Sequence, residues 1–129
     1  MGRIVVQTRV TNVFDEDKSI ECGMFVDTGA GALILPAAWK ERLGRFKRSE
    51  AVELLMANRE VVRGEACSPV EVKIEGFRSV SNEVIFVDMK PEENADYEPL
   101  LGYVILEQAP AAVDMLGHRL VPVRYIDMK

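Results

Sequence analysis

The chain has 129 residues, 48% of them hydrophobic and 29% charged, and a formal net charge of −5. This length fits one domain over residues 1–129, and the acidic balance without basic residues interleaved with aromatics disfavours nucleic acid as a partner. The chain has no apolar run long enough for a membrane span and no signal-peptide pattern at its start, so we expect a cytoplasmic protein that does not bind membranes.

Strand patterns dominate the chain. Runs of β-branched and apolar residues, separated by turn-forming residues, predict hairpins near both ends and three strands in the middle. The predicted elements are, in chain order, strands over 4–10 and 19–26, a helix over 36–43, strands over 52–56, 61–74 and 77–87, a helix over 102–109, and a hairpin of 112–114 and 119–123. These elements predict an all-β fold, mainly β with two short helices.

Proline and glycine set several of these boundaries. Pro36 suits a first helical turn, where its missing N–H is not needed, and Gly44 stands where a left-handed residue ends a helix. Pro69 cannot donate to a strand ladder, so the strand over 61–74 is expected to bend or break there. Pro110 ends the second helix, and the acidic segment 89–99 is expected to be a loop.

The segment Phe-Val-Asp-Thr-Gly-Ala, residues 25–30, is the most informative about chemistry. A carboxylate at the end of an apolar strand is costly to bury unless it is paired or hydrogen-bonded. Gly29 permits backbone geometry in which its N–H approaches the Asp27 carboxylate, and the Thr28 hydroxyl can bond neighbouring backbone. Asp-Thr-Gly alone is an ordinary turn, but here apolar residues precede it and an apolar run over 33–36 follows it.

A second apolar-apolar-Gly element, Leu100, Leu101 and Gly102, lies ahead of the second predicted helix. Together, residues 25–30 resemble the catalytic loop of retropepsin-like aspartic proteases, and residues 100–102 resemble the second motif of that family. The order of elements is similar over roughly residues 6–123. The resemblance implies a closed β-barrel with one lobe per chain, and a homodimer in which each subunit supplies one Asp27.

The resemblance also implies a mechanism, that of an aspartic endopeptidase acting on a peptide or protein without a cofactor. Two carboxylates at a two-fold axis share one proton, because both cannot ionise cheaply. The ionised one activates a water toward the peptide carbonyl, and the protonated one donates to the carbonyl oxygen. Thr28 would bridge the two subunits, and Gly29 would contact the dyad and substrate.

By the same resemblance, the hairpin over 54–61 would be a flap that closes over a bound peptide. The tip of this predicted flap consists of Ala57, Asn58 and Arg59. A closing hairpin excludes water and fixes the peptide as an added strand.

Some positions depart from the family pattern. Gly31 replaces a common Ser or Thr, Leu33 a common Thr, and Tyr103 the Arg of retroviral members. Ala30 replaces the Ser of pepsin-like enzymes, and loss of that donor to the charged carboxylate predicts a less acidic pH optimum than pepsin's. Two alternatives stay open, a catalytically weak or inactive peptide-binding module of the same fold and an unrelated β-barrel interaction domain with a chance motif.

Other chemically active residues receive structural interpretations. Asp114 is predicted to be a surface turn residue, His118 a solvated hairpin residue, and Trp39 a core residue. Cys22 and Cys67 are predicted to be free thiols on strands. One histidine and two separated cysteines give no zinc-ligand spacing, so we predict no metal site.

Overall fold

The computed structural model describes residues 4–55, 59–88 and 99–123. Within these ranges it contains strands, a 3-10 helix at Ala37–Leu43, and the α-helix α1 at Tyr103–Gln108. The strands are β1 (Val5–Asn12), β2 (Ser19–Asp27), β3 (Leu33–Pro36), β4 (Arg48–Leu55), β5 (Val61–Ile74), β6 (Val80–Val87), β7 (Leu100–Gly102), β8 (Ala111–Asp114) and β9 (Arg119–Pro122). The predicted fold class, mainly β with two short helices, is confirmed.

The main sheet closes on itself. Its strand order is β1-β2-β7-β3-β6-β5-β4, and β1 also pairs with β5. The closed barrel therefore consists of β1, β2, β7, β3, β6 and β5, in that spatial order. The strand β4 lies outside this ring and pairs with β5 as the outer arm of a hairpin. The strands β8 and β9 form a separate antiparallel pair.

The strand β7 lies between two strands that are consecutive in the chain. It is parallel to β2, with Asp27 opposite Gly102, and antiparallel to β3, with Ile34 opposite Leu100. The segment 28–32 must therefore pass from one side of β7 to the other. This crossing places the end of β2 and the start of α1 against the same loop.

The core has two parts. The larger cluster fills the barrel, and its fully buried large side chains include Ile20, Met24, Leu35 and Leu101. Burying a side chain of this kind contributes about 1.5–3 kcal/mol. The second apolar cluster lies under the β4–β5 hairpin, and its members are Ile34, Ala66, Ile85 and Val87, with Ala32, Val52, Leu54, Val62 and Leu100 packed against them.

The first predicted helix differs from expectation in type and in its first residue. Pro36 is the last residue of β3, with φ −61° and ψ 136°, and it lies opposite Val87 in the parallel pairing with β6. A proline can end a strand, where its missing N–H is not needed. The 3-10 helix starts at Ala37 and is followed by Gly44 with φ 74°, which confirms the predicted stop.

The long strand β5 continues through the position where the sequence predicts a bend or break. The register with β6 shifts between Cys67 and Val70, and the Ser68–Pro69 peptide bond in this irregularity is cis. A bulge of this kind accommodates a residue without an N–H while the strand goes on. The irregularity is therefore at the predicted place, but the strand is not interrupted.

Two strand starts differ from the prediction. The strand β4 begins at Arg48 instead of residue 52. The prediction missed residues 48–51 because they are exposed and show no apolar alternation. The strand β6 begins at Val80 instead of residue 77, because the Phe77 N–H donates to the Ile74 carbonyl, 2.9 Å away, in a turn around Gly76. The predicted loop over 89–99 lies almost wholly outside the described residues.

No helix in the described ranges is both long enough and apolar enough to cross a membrane.

Candidate active site

Asp27 is the last residue of β2, and the turn that follows holds its carboxylate. The Gly29 N–H donates to Asp27 Oδ1 at 3.0 Å, and the Ala30 N–H donates to the Asp27 main-chain carbonyl at 3.1 Å. Asp27 is half-buried, while Thr28 and Gly29 are exposed. The carboxylate is thus oriented by its own loop, with one oxygen hydrogen-bonded and the loop tip open to solvent.

The second sequence motif lies directly beneath this loop. The Tyr103 N–H donates to the Ala30 carbonyl at 2.9 Å, and the Val104 N–H donates to the Gly31 carbonyl at 3.4 Å. A Cβ atom on Gly102 would lie 2.4 Å from the Ala32 carbonyl oxygen and 2.7 Å from the Ala30 carbonyl oxygen. These distances leave no space for a side chain, so Gly102 is required for the loop to rest on β7.

A cleft of about 380 Å³ opens between the loop and the β4–β5 hairpin. Its lining consists of Asp27, Gly29, Ala30, Gly31, Ala32, Ile34, Leu54, Leu55 and Leu100. Among these described residues, Asp27 is the only one with an ionisable side chain. One carboxylate therefore faces an otherwise apolar space whose size suits a small ligand or a segment of peptide.

The structure brings some of the predicted site residues together and separates others. Asp27, Gly29, Ala30 and Leu100 line the cleft, whereas the Leu101 side chain is fully buried in the barrel core. Of the predicted hairpin tip, Arg59 is exposed with φ 68°, a left-handed conformation. Ala57 and Asn58 lie outside the described residues.

Sequence reasoning did not identify the apolar lining on the hairpin. Leu54 and Leu55, the last two residues of β4, both line the cleft; Leu54 packs against the second apolar cluster, and Leu55 is 74% exposed. A pair of adjacent leucines at the end of β4 was the available signal. Their function depends on what they face across the cleft, which local pattern does not reveal.

Asp114 and His118 belong to the turn between β8 and β9 and do not line the cleft. Asp114 Oδ1 accepts hydrogen bonds from the Leu116 N–H at 3.1 Å and the Gly117 N–H at 3.0 Å, and its Oδ2 accepts one from Arg119 Nε at 3.3 Å. The Gly117 hydrogen bond is the main reason that the pKa of Asp114 lies below its ordinary value. The interpretation as a turn residue is confirmed. His118 is exposed in the same turn.

The thiols and the single tryptophan lie away from the cleft. Cys22 and Cys67 form no disulfide, and burial raises the pKa of both thiols. Trp39 packs against the main core, with the Arg42 guanidinium 5.0 Å from its ring centre. Within the described ranges, no three His, Cys, Asp or Glu side chains are grouped as metal ligands would be.

The fold is similar to those of known proteins, although the sequence is not. No protein-family model matches the sequence, and no curated protein matches it significantly. The structure is similar to EIAV protease complexed with the inhibitor HBY-793, with a TM-score of 0.63 and 20% identity over 88% of this chain and 94% of that chain. It is also similar to the retroviral protease-like domain of Ddi1 from Leishmania major, with a TM-score of 0.50 and 15% identity over 95% of this chain and 90% of that chain.

Proposed function

Since the chain has the retropepsin-like fold, we propose that it is an aspartic endopeptidase that builds one active site from two copies of itself. The observation that carries this proposal is the position of Asp27, the one ionisable side chain among the described residues lining an apolar cleft. Peptide hydrolysis by a carboxylate pair requires two such groups. One chain supplies one, so a second copy supplies the other.

The catalytic loop is suited to meet its own copy. Thr28 and Gly29 are exposed beside the half-buried Asp27. In a two-fold dimer, a residue near the axis lies close to the same residue of the partner. A homodimer that joins the two loops at this point would bring two Asp27 carboxylates together and cover the Thr28 side chains.

The chemistry follows from two carboxylates that share one proton. The ionised Asp27 removes a proton from a water as its oxygen bonds to the peptide carbonyl carbon, and the protonated Asp27 gives its proton to the carbonyl oxygen. Transfer of a proton to the peptide nitrogen then breaks the C–N bond, leaving a carboxylic acid and an amine. The Gly29 N–H, 3.0 Å from Asp27 Oδ1, keeps the carboxylate oriented for this work.

The substrate proposed is an extended peptide with apolar side chains beside the scissile bond. Ile34, Leu54, Leu55 and Leu100 line the cleft, so apolar side chains of a bound peptide would be buried against them. We further propose that the β4–β5 hairpin acts as a flap over the peptide. The similarity to EIAV protease, whose structure contains an inhibitor, supports a ligand-binding cleft in this fold.

A cytoplasmic location is part of the proposal. The free thiols of Cys22 and Cys67 support it, because disulfides are rare in reducing compartments.

The proposal is tested with a diverse peptide library incubated at about pH 4 to 7, around and above the ordinary Asp range. The wild type is expected to cleave peptides, with inhibition by pepstatin-type compounds, and Asp27→Asn to lose at least about a hundredfold in rate. Asp17→Asn, which removes the same charge from an exposed turn, is the matched control and retains full activity.

The products are identified by mass spectrometry after sedimentation shows that each variant is a folded dimer. Equal cleavage by wild type and Asp27→Asn would remove Asp27 from the mechanism. A folded wild-type dimer that cleaves nothing would contradict the enzyme and favour the peptide-binding module.

A further inference from the structure

The base of the β4–β5 hairpin is held by a cluster of polar side chains from three elements. Lys40 Nζ of the 3-10 helix lies 2.6 Å from Glu65 Oε1 of β5. The Ser49 hydroxyl of β4 donates to the other oxygen of Glu65. Ser49 Oγ also lies 3.6 Å from Cys67 Sγ. We call Lys40, Ser49, Glu65 and Cys67 the hairpin-base cluster.

The protons of this cluster can be assigned from its contacts. A hydroxyl has one proton, and that of Ser49 is donated to Glu65, so the Cys67 thiol is the donor in the Ser49–Cys67 contact. Cys67 is 0% exposed, and burial raises the pKa of its thiol, which keeps that proton in place. Both oxygens of Glu65 are therefore satisfied, one by Lys40 and one by Ser49.

The cluster connects the β4–β5 hairpin to the 3-10 helix. The 3-10 helix follows β3 directly, and β3 follows the catalytic loop. In the β4–β5 pairing, Glu65 lies opposite Ala51, and Leu54 lies opposite Val62. These pairs are three positions apart, roughly 10 Å along the hairpin. The contact between Lys40 and Glu65 thus holds the hairpin three positions from Leu54, which lines the cleft.

The hairpin is held from its two faces by different interactions. Val52, Leu54 and Val62 pack against the second apolar cluster. Side chains alternate between the faces of a strand, so Ser49 and Glu65 project from the opposite face. Within the described residues, β4 pairs only with β5, and its first four residues are exposed. Apolar packing on one face and the hairpin-base cluster on the other therefore set the angle of the hairpin together.

We propose that Glu65 is a positioning residue, which fixes the β4–β5 hairpin over the cleft through Lys40 and Ser49 and so sets the affinity for peptide. The effect on peptide affinity rests on the proposed function, while the effect on the hairpin stands independently of it. Glu65 is not among the residues that line the cleft, so it acts only through the hairpin.

The kinetic expectation is an altered KM with an unaltered chemical step. Glu65→Gln and Lys40→Met each raise KM by about threefold to fivefold, the effect of losing a well-placed exposed ion pair, and leave kcat within about twofold. The double variant with reversed charges, Lys40→Glu with Glu65→Lys, restores much of the affinity for peptide. Glu50→Gln removes a charge from the same hairpin outside the cluster and leaves KM unchanged.

Amide hydrogen exchange tests the hairpin without any need for catalysis. The single variants Glu65→Gln and Lys40→Met are expected to speed exchange at residues 52–55 and 61–64 severalfold, with β1 and β2 unchanged. The double variant with reversed charges is expected to slow amide exchange again. A general loss of stability would also speed amide exchange in β1 and β2, so their unchanged rates identify an effect confined to the hairpin.

The outcomes separate the two proposals. If wild type cleaves no peptide but the single variants loosen the hairpin, the proposed function fails and the positioning role of Glu65 stands. If amide hydrogen exchange at the hairpin is unchanged in both single variants, the positioning role is overturned. A fall in kcat with KM unaltered overturns it as well.

Discussion

Among the glycines of the candidate site, Gly102 has the least space for a side chain. A Cβ at this position would lie 2.4 Å from one main-chain oxygen and 2.6 Å from a main-chain nitrogen, both of Ala32. Because backbone cannot move aside as a flexible side chain can, Gly102→Ala must separate β7 from the loop that follows Asp27. We expect it to lower the free energy of unfolding by about 3 kcal/mol, at the upper end of overpacking costs.

The measurement for Gly102 is urea unfolding with Gly31→Ala as the matched control. A Cβ on Gly31 would make only an ordinary contact, 3.6 Å from the Tyr103 ring. The control should therefore stay within about 0.5 kcal/mol of wild type. Equal stability of the two variants would show that the loop does not rest on β7 as described.

Residue-scale prediction from the sequence succeeded where chemistry is local and missed contacts made at a distance. The Asp27 turn is built within residues 27–30, so its pattern is visible in the sequence. Asn12 is fully buried, and its amide donates to the Leu43 carbonyl at 2.7 Å and the Arg45 carbonyl at 2.8 Å. No local pattern marks this asparagine as the residue that joins β1 to the end of the 3-10 helix.

At the scale of elements, the β8–β9 hairpin depends on the Asp114 carboxylate. The pKa of Asp114 is lowered, chiefly by the Gly117 N–H. A lowered folded-state pKa means that the stabilisation is present above the ordinary carboxyl range and is lost as pH falls through the lowered value. We expect the hairpin to loosen in acid, while an Asp114→Asn variant, which cannot ionise, shows no such transition.

The measurement is the rate of amide hydrogen exchange in β8 and β9. The ratio of the wild-type rate to the Asp114→Asn rate at each pH removes the intrinsic pH dependence of exchange. The wild type should be better protected at about pH 6, with the ratio approaching one near pH 2, below the ordinary Asp value. A ratio that does not change with pH would contradict the role of the ionised carboxylate.

Several elements could be predicted from their own residues, and others could not. The strands β1 and β2 and the helix α1 carry clear apolar patterns and lie within about two residues of their predicted positions. The start of β4 was missed because its exposed residues show no apolar alternation. The 3-10 helix was not distinguished from an α-helix, since the propensities of Ala37–Leu43 suit either.

For the whole molecule, the resemblance of two short motifs predicted the fold class and the closed barrel. The pairing of β1 with β5, which closes the barrel, and the insertion of β7 between β2 and β3 join segments far apart in the chain. Residue patterns alone do not specify such pairings. The same is true of the contact between Lys40 and Glu65, and of the β4 leucines that line the same cleft as Asp27.

The central claim is that one active site needs Asp27 from each of two subunits, and a mixing experiment tests it most directly. Wild type is equilibrated with an equal amount of Asp27→Asn, and cleavage of a library-derived peptide is compared with that of wild type alone at the same wild-type concentration. With random exchange, half of the wild-type chains enter mixed dimers, so the account predicts a fall in activity to about half. Unchanged activity, with sedimentation or mass analysis showing that mixed dimers have formed, would mean that each subunit works alone and would contradict the shared active site.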